Sequence, residues 1–241
     1  MHNSAFDSFI KFKKVYLDKI QLKQKIKIIE VGSLSINSNI KPTLDKNKFE
    51  YIGLDIEKGP NVDIVLEDPY KFPLNNESVD AVVSISTFEH TDFFWLSYLE
   101  ILRILKPSGL FFLNVPSNSN FHRHPVDSWR FYPDSSSSLI KWGKKNDYNC
   151  ECLEHYTNYE TGRDIWNDYV SIIIKDKNSK SIFKERIIDN YRNFTNGKTD
   201  KDNKFINYNK TPQDQSNWGW KLYYKLRRRL WKIKKKLGLF S

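Results

Sequence analysis

The chain has 241 residues, with 39 Lys and Arg against 29 Asp and Glu, a formal net charge of +10, 39% hydrophobic and 15% aromatic residues, and two cysteines. This size implies one medium domain with an appendage, and the aromatic content can build a core large enough to exclude wholesale disorder. No apolar run approaches the roughly 20 residues that cross a bilayer. The first twenty residues scatter Lys11, Lys13 and Lys14 among aromatics and lack a signal peptide's apolar stretch, so the expected location is the cytoplasm.

An amphipathic helix is predicted over 5–22, with Phe6, Phe9, Ile10, Val15 and Leu17 on its packing side, and 1–23 is read as an N-terminal helical segment. Over 24–176 short apolar runs alternate with helical patterns, the signature of a parallel sheet with helices on its faces. Strands are predicted at 26–31, 50–55, 62–66, 79–84, 109–115, 150–156 and 169–175. The fold class is therefore α/β: a Rossmann-like, doubly wound, mostly parallel seven-stranded sheet. A helix is predicted over 93–105, stopped by Lys106-Pro107-Ser108-Gly109, and another over 134–144 with Asp134 as its cap. The catalytic domain is expected to end near 176. Residues 177–217, rich in Lys, Asn and Asp with a helical stretch near 182–194, read as a polar extension or linker. Cys150 and Cys152 fall in one strand, where an ordinary disulfide cannot form, and without a second Cys pair they read as packing residues rather than zinc ligands.

Residues 218–241 read as a basic helix. Nine Lys and Arg and no acid lie between 221 and 241, while Leu222, Leu226, Leu230, Ile233, Leu237 and Phe240 recur at helical spacing. Such a helix suits the headgroup region of an anionic membrane. Docking of its apolar stripe on the domain and a nucleic-acid patch remain alternatives.

Strand one runs into Glu30-Val31-Gly32-Ser33-Leu34-Ser35-Ile36-Asn37. Ligands of open parallel sheets lie beyond the carboxyl ends of the strands, and Gly32 allows a tight turn there. A single glycine in place of Gly-x-Gly-x-x-Gly disfavours NAD or FAD. Strand two ends on Asp55, placed to accept hydrogen bonds from a ribose diol, and strand three is followed by Glu67-Asp68-Pro69.

With these parts, together with Tyr51-Ile52-Gly53-Leu54-Asp55, Val79-Asp80-Ala81-Val82-Val83, Phe88-Glu89-His90 and Leu102-Arg103-Ile104-Leu105-Lys106-Pro107-Ser108-Gly109-Leu110, the chain resembles the class I S-adenosylmethionine-dependent methyltransferases over about residues 24–176. It departs from that family where Ser33, Ser35 and Asn37 replace the later glycines of the first motif, as in a subgroup reading Glu-Val-Gly-Ser. The resemblance implies S-adenosylmethionine as cofactor and S-adenosylhomocysteine as product. It implies cofactor contacts from Glu30, Gly32 and Ser33 beside the methionine part, Asp55 and Ile56 at the ribose, Asp68 and Pro69 at the adenine, and Ser86 and Thr87 near the sulfonium.

After strand four, Ser86-Thr87-Phe88-Glu89 stands where enzymes that methylate exocyclic base nitrogens resemble one another in an Asn/Asp-Pro-Pro-Tyr/Phe loop, which argues against that class. After strand five, residues 121–134 hold two His, two Asp, two Arg and four aromatics. The pattern His-Pro-x-Asp-x-Trp-Arg-Phe-x-Pro resembles a segment of methyltransferases from bacterial surface-glycan gene clusters. An imidazole, with pKa about 6.5, suits deprotonation of a hydroxyl, so His90, His122 and His124 are the catalytic candidates, with Asp127 orienting one of them or binding a sugar hydroxyl. Trp129, Arg130 and Tyr132 are candidates for substrate binding, although an Asp127–Arg130 ion pair that merely fixes the loop is the competing expectation. No metal is expected. The reading is an O-methyltransferase acting on a small-molecule or glycan acceptor, a sugar hydroxyl or a phosphate or phosphoramidate substituent, held at the inner membrane surface by its tail. An RNA or protein methyltransferase, or a binding module without catalysis, are the alternatives.

Overall fold

The computed structural model describes residues 3–21, 23–34, 39–118, 120–158, 167–210, 222–223, 225–230 and 233. Residues 1–208 form one compact unit and residues 209–241 a second. In the first, helix α1 (Asn3–Val15) buries Ala5, Ser8, Phe9 and Phe12, a stripe at helical spacing that Tyr16 and Leu17 prolong. This is the face expected from sequence only in part: Phe9 and Leu17 are buried, but Ile10 is exposed and Phe6 and Val15 are only half-buried. The winning stripe is the one that meets the sheet, where Phe12 stacks on Phe112 at 4.8 Å between centroids and Phe9 meets the same ring edge-on at 6.1 Å.

The sheet has eight strands in the order β3-β2-β1-β4-β5-β7-β6-β8. The first five are β1 (Ile26–Val31), β2 (Phe49–Asp55), β3 (Ile64–Val65), β4 (Val79–Ile85) and β5 (Leu105–Pro116). They pair in parallel throughout. β7 (Asp168–Ile174) then runs antiparallel between β5 and β6 (Glu151–Asn158), and β8 (Phe194–Thr199) runs antiparallel along β6. The order reverses between β1 and β4, so their outgoing loops part and leave a crevice at the carboxyl ends. Alternation along each strand sends Ile28, Ala81, Val83, Leu110 and Phe112 to the face covered by α1. It sends Ile29, Val82, Phe111 and Leu113 to the opposite face. There helices α2 (Phe94–Ile104) and α3 (Ser135–Lys145) supply Tyr98, Ile101, Leu102 and Leu139.

Several boundaries depart from the sequence reading. The third strand shrinks to two residues because the chain is still turning at Val62, whose N–H donates to Gly59, and Asp63 is spent holding the Gly53 N–H. Helix α2 does stop before Lys106-Pro107-Ser108-Gly109, but that segment lies inside β5, where a register shift opposite Val79 and Ala81 absorbs it. Asp134 occupies the N-cap position of α3 without a capping side-chain bond. Cys150 precedes β6 rather than lying in it. Both thiols are free, and burial pushes the Cys152 thiol up to about 12.

The largest departure is the polar stretch after 176. It holds a 3-10 turn (Lys177–Ile182), a single helical turn α4 (Ile187–Asn190) and the eighth strand. The domain therefore extends past the boundary expected at 176, and no helix spans 182–194. Phe183, Ile187, Ile188 and Phe194 join the core against α1. Arg186 is 2% exposed, donates to the carbonyls of Leu153, Phe183 and Glu185, and pairs with Asp200 at 2.8 Å. Beside it the buried Glu154 carboxylate accepts from Tyr16 Oη and from the backbone of Ile187 and Ile188.

The basic helix expected over 218–241 belongs to the second unit and lies mostly outside the described residues, of which 222–223, 225–230 and 233 have helical backbone. No helix among the described residues is long and apolar enough to cross a membrane.

Candidate functional site

At the crevice, Gly32 has φ +79, and a Cβ there would lie 1.9 Å from Thr87 Oγ1. Only glycine lets the first loop pass this close to the loop after β4. The N–H groups of Gly32 and Ser33 both donate to the Leu54 carbonyl, and Thr87 Oγ1 donates to the Val31 carbonyl. Ser86, at φ +51, sits in the left-handed region and gives its N–H to Asn114. Ser35, Ile36 and Asn37 lie outside the described residues.

Glu30 is 5% exposed and accepts from Tyr51 Oη. Burial raises its pKa to about 7 against the opposing pull of the Tyr51 bond, and the same contact, after burial, pushes Tyr51 up. Asp55 accepts from Leu34 N at 2.8 Å on one oxygen, and from Ile56 and Glu57 N on the other. The carboxylate is thus aimed by backbone groups, with three of its roughly four acceptor sites used. Ile56 beside it is 50% exposed. Asp68 accepts from Tyr70 N, and the Pro69 carbonyl accepts from Ser97 Oγ, tying the third loop to α2.

Buried polar atoms gather at these strand ends. Ser33 Oγ, Ser84 Oγ and both amide atoms of Asn114 have no hydrogen-bond partner among the described residues. Leaving such atoms unpaired costs about 1–3 kcal/mol each, which a polar ligand seated at these strand ends would offset; further such atoms lie along β6, on His155, Tyr156 and Thr157. A molecule with a ribose diol, an adenine and an amino-acid end offers the donors and acceptors that the strand-end atoms lack. The donor set fits S-adenosylmethionine.

The loops after β4 and β5 close on one another beside this crevice. Ser128 and Trp129 give their N–H groups to the Glu89 carbonyl, and Trp129 Nε1 donates to Thr91 O. His90 Nδ1 bonds to the Val126 carbonyl. A carbonyl can only accept, so Nδ1 carries the proton and Nε2 presents its lone pair. Burial, the largest influence, lowers the pKa of His90 and keeps it neutral. The His122 ring stands edge-on to His90 at 4.9 Å and that of His124 at 6.4 Å. Sequence reading thus selected three histidines that the fold does bring together.

Asp127 is otherwise employed than as a base. Its side chain is 1% exposed, grips Arg130 with both oxygens at 2.5 and 2.8 Å, and accepts from His122 N. The Arg130 bonds hold its pKa down at about 2. It lies 3.2 Å from His122 Nδ1, where it orients that ring. Arg130 also donates to the carbonyls of Asn120 and Trp129, so its guanidinium braces the loop instead of standing open to a phosphate. Trp129 is 37% exposed and packs edge-on against Phe94 and Trp95. With Trp142, Phe131 and Leu139 these rings line a cavity of about 430 Å³ beside the loop. Tyr132 is 56% exposed.

Glu89, Asn114 and Asp168 are the site residues the sequence reading passed over. Glu89 is 1% exposed, and burial raises its pKa to about 8. Asp168, 2% exposed, accepts from Ser4 Oγ of α1 and acts on Glu89 through its charge. Glu89 follows β4 by four residues, Asn114 lies two residues before the end of β5, and Asp168 opens β7. The described residues also bring Glu89, His90 and His122 into one group of possible metal ligands, where no metal was expected.

A family profile described as a methyltransferase domain matches residues 38–113. No curated protein matches in sequence. Among solved structures the chain is similar to the 1,6-didemethyltoxoflavin N1-methyltransferase of Burkholderia thailandensis, solved with 1,6-didemethyltoxoflavin and S-adenosylhomocysteine bound (11% identity, TM-score 0.52, covering 70% of this chain and 77% of that one). It is also similar to the CMeT domain of the citrinin polyketide synthase (15% identity, TM-score 0.50, covering 72% of this chain and 53% of that one). At these identities the structures speak for the fold, and the family profile speaks for the activity. With the crevice and its donor set on the same strand ends, the chain is an S-adenosylmethionine-dependent methyltransferase.

Proposed function

We propose that this methyltransferase acts on a hydroxyl oxygen of a carbohydrate or surface-glycan precursor. The observation that carries the reading is His90, fixed by the Val126 carbonyl as a neutral imidazole with Nε2 available, beside two further histidines at the carboxyl end of the sheet. An alcohol must lose its proton to be methylated, whereas an amine needs less help. Gly32, Ser33, Ser86 and Thr87 shape the crevice for the cofactor, Asp55 with Ile56 holds the ribose, Asp68 with Pro69 meets the adenine, and Glu30 stands toward the amino-acid end. When bound, S-adenosylmethionine supplies a methyl group on a sulfonium and leaves as a neutral thioether. His90 Nε2 takes the acceptor's proton, and Asp127 aligns His122 next to it. Trp129 offers a flat apolar face to a sugar ring, Tyr132 lies exposed at the same rim, and Arg130 keeps the loop in place.

Calorimetric titration with S-adenosylhomocysteine, followed by methyl transfer to a panel of sugar nucleotides and glycan intermediates, tests the reading. Asp55→Ala removes charge-assisted bonds of about 1.5–3 kcal/mol each, so its affinity for the product falls by roughly 100-fold. A wild type that binds the product and transfers methyl only to amine or carbon acceptors would overturn the hydroxyl assignment.

The basic segment 221–241 is proposed to hold the protein on an anionic membrane surface, where lipid-linked glycans are assembled, since each Lys or Arg near such a surface contributes about 1 kcal/mol. The full chain is expected to sediment with phosphatidylserine vesicles and a variant ending at residue 217 to remain in solution. Equal sedimentation of the two removes the idea.

A further inference from the structure

The two rim loops bring Glu89, His90 and His122 so close that one ligand atom from each lies within 4.8 Å of the other two. We propose that this cluster binds a divalent first-row transition metal ion through the Glu89 carboxylate, His90 Nε2 and an imidazole nitrogen of His122. Two imidazoles and one carboxylate form a donor set for zinc, manganese or iron rather than magnesium. Three protein ligands leave a further position open, as in catalytic metal sites.

The side chains behind the cluster are arranged as a metal site requires. His90 Nδ1 is anchored on the Val126 carbonyl, which turns Nε2 inward to 3.8 Å from Glu89 Oε1. His122 Nδ1 lies 3.2 Å from the buried Asp127 carboxylate, which orients the ring. A carbonyl or carboxylate behind each ligating imidazole is the usual support of a bound metal. Independently, Glu89 is 1% exposed and its Oε2 has no hydrogen-bond partner among the described residues. Burying a carboxyl oxygen without a partner is costly, and a cation supplies the partner. Bonds of about 2.1 Å in a tetrahedral site put ligand atoms about 3.4 Å apart, a separation the Glu89–His90 pair nearly has and side-chain rotation completes. The Arg130 charge does not oppose an ion, being paired with Asp127. The His122 side chain is 34% exposed, which leaves a way in.

The binding claim stands on this geometry. A part for the ion in methyl transfer rests on the reading above, that the histidine wall faces the acceptor. There the ion would hold the acceptor oxygen, and with His90 as a ligand the exposed His124 takes the proton.

The test uses the full chain, stripped with a chelator and titrated with Zn²⁺ by calorimetry and with Co²⁺ by visible absorption. One equivalent should bind, with cobalt bands of a histidine-containing site. Glu89→Gln and His122→Asn should each weaken binding at least tenfold, and Asp127→Asn by roughly 10–100-fold. Circular dichroism and S-adenosylhomocysteine affinity show that each variant is folded, and Zn²⁺ should raise the melting temperature of the wild type more than theirs. No stoichiometric binding, or binding that Glu89→Gln and His122→Asn leave unchanged, overturns the site. Metal binding without methylation of any hydroxyl supports the site and sinks the acceptor reading. Methylation without metal binding overturns the site and leaves His90 as the base.

Discussion

With divalent metal chelated, so that the His90 Nε2 lone pair is free to act as base, exchanging His90 for glutamine is expected to slow methyl transfer by about 10²–10⁴-fold, the contribution of a positioned general base, while affinity for S-adenosylhomocysteine stays unchanged. The glutamine side chain can keep a bond to the Val126 carbonyl, so the loops remain joined, but it offers no basic nitrogen. The pH profile sharpens the expectation. His90 has its pKa lowered, first by burial and then by the neighbouring His122, against the Val126 bond and the Asp127 charge, which raise it. The base is therefore neutral and competent at pH 7, and its own titration should not limit activity of the chelated wild type above pH about 6.5. On account of this group, activity should fall only as the pH drops through the depressed value. A His90→Gln rate near that of the wild type, with an unchanged profile, would place the proton elsewhere.

The second large effect concerns stability. Arg186→Ala is expected to destabilise the protein by about 3–5 kcal/mol, as when one partner of a buried ion pair is removed. Among the described residues Asp200, whose side chain is 4% exposed, would keep only Lys180 as an ion-pair partner, which is itself 41% exposed. The carbonyls of Leu153, Phe183 and Glu185 would lose their donor as well. The double variant Arg186→Met with Asp200→Leu should recover part of the loss, because no charge is then buried alone. Urea unfolding of the two variants and the wild type measures both differences. A single variant within about 0.5 kcal/mol of the wild type, the range of ordinary surface substitutions, would show the pair to be solvated.

Arg186 also shows where sequence reading ends. Its neighbourhood, Lys184-Glu185-Arg186, has the composition of a linker, and nothing local announces that the guanidinium will be buried against β6. Composition reports the average solvation of a segment, whereas burial of a charge depends on a partner fourteen residues away in Asp200. For the same reason the eighth strand was not legible: Phe194–Thr199 alternates too weakly to stand alone, and it is a strand because the edge of β6 is there to pair with it. The Asp127–Arg130 pair was foreseen as an alternative because both residues sit in one short segment.

What the sequence alone determined is whatever depends on neighbours along the chain. The parallel strands from β1 to β5 follow from apolar runs, the stop of α2 from Pro107 and Gly109, and the places of Gly32, Asp55 and Asp68 from their position at strand ends. What only the tertiary structure decided is whatever depends on distance through space. Glu89 became a buried carboxyl with one oxygen unpartnered among the described residues, His90 acquired a defined tautomer, and His122 came within reach of both, only when the loops after β4 and β5 closed on each other. Hydrophobic periodicity is a local property that survives in one dimension. Desolvation and charge pairing act between groups far apart in the chain, and they take their values only once the fold has set those distances.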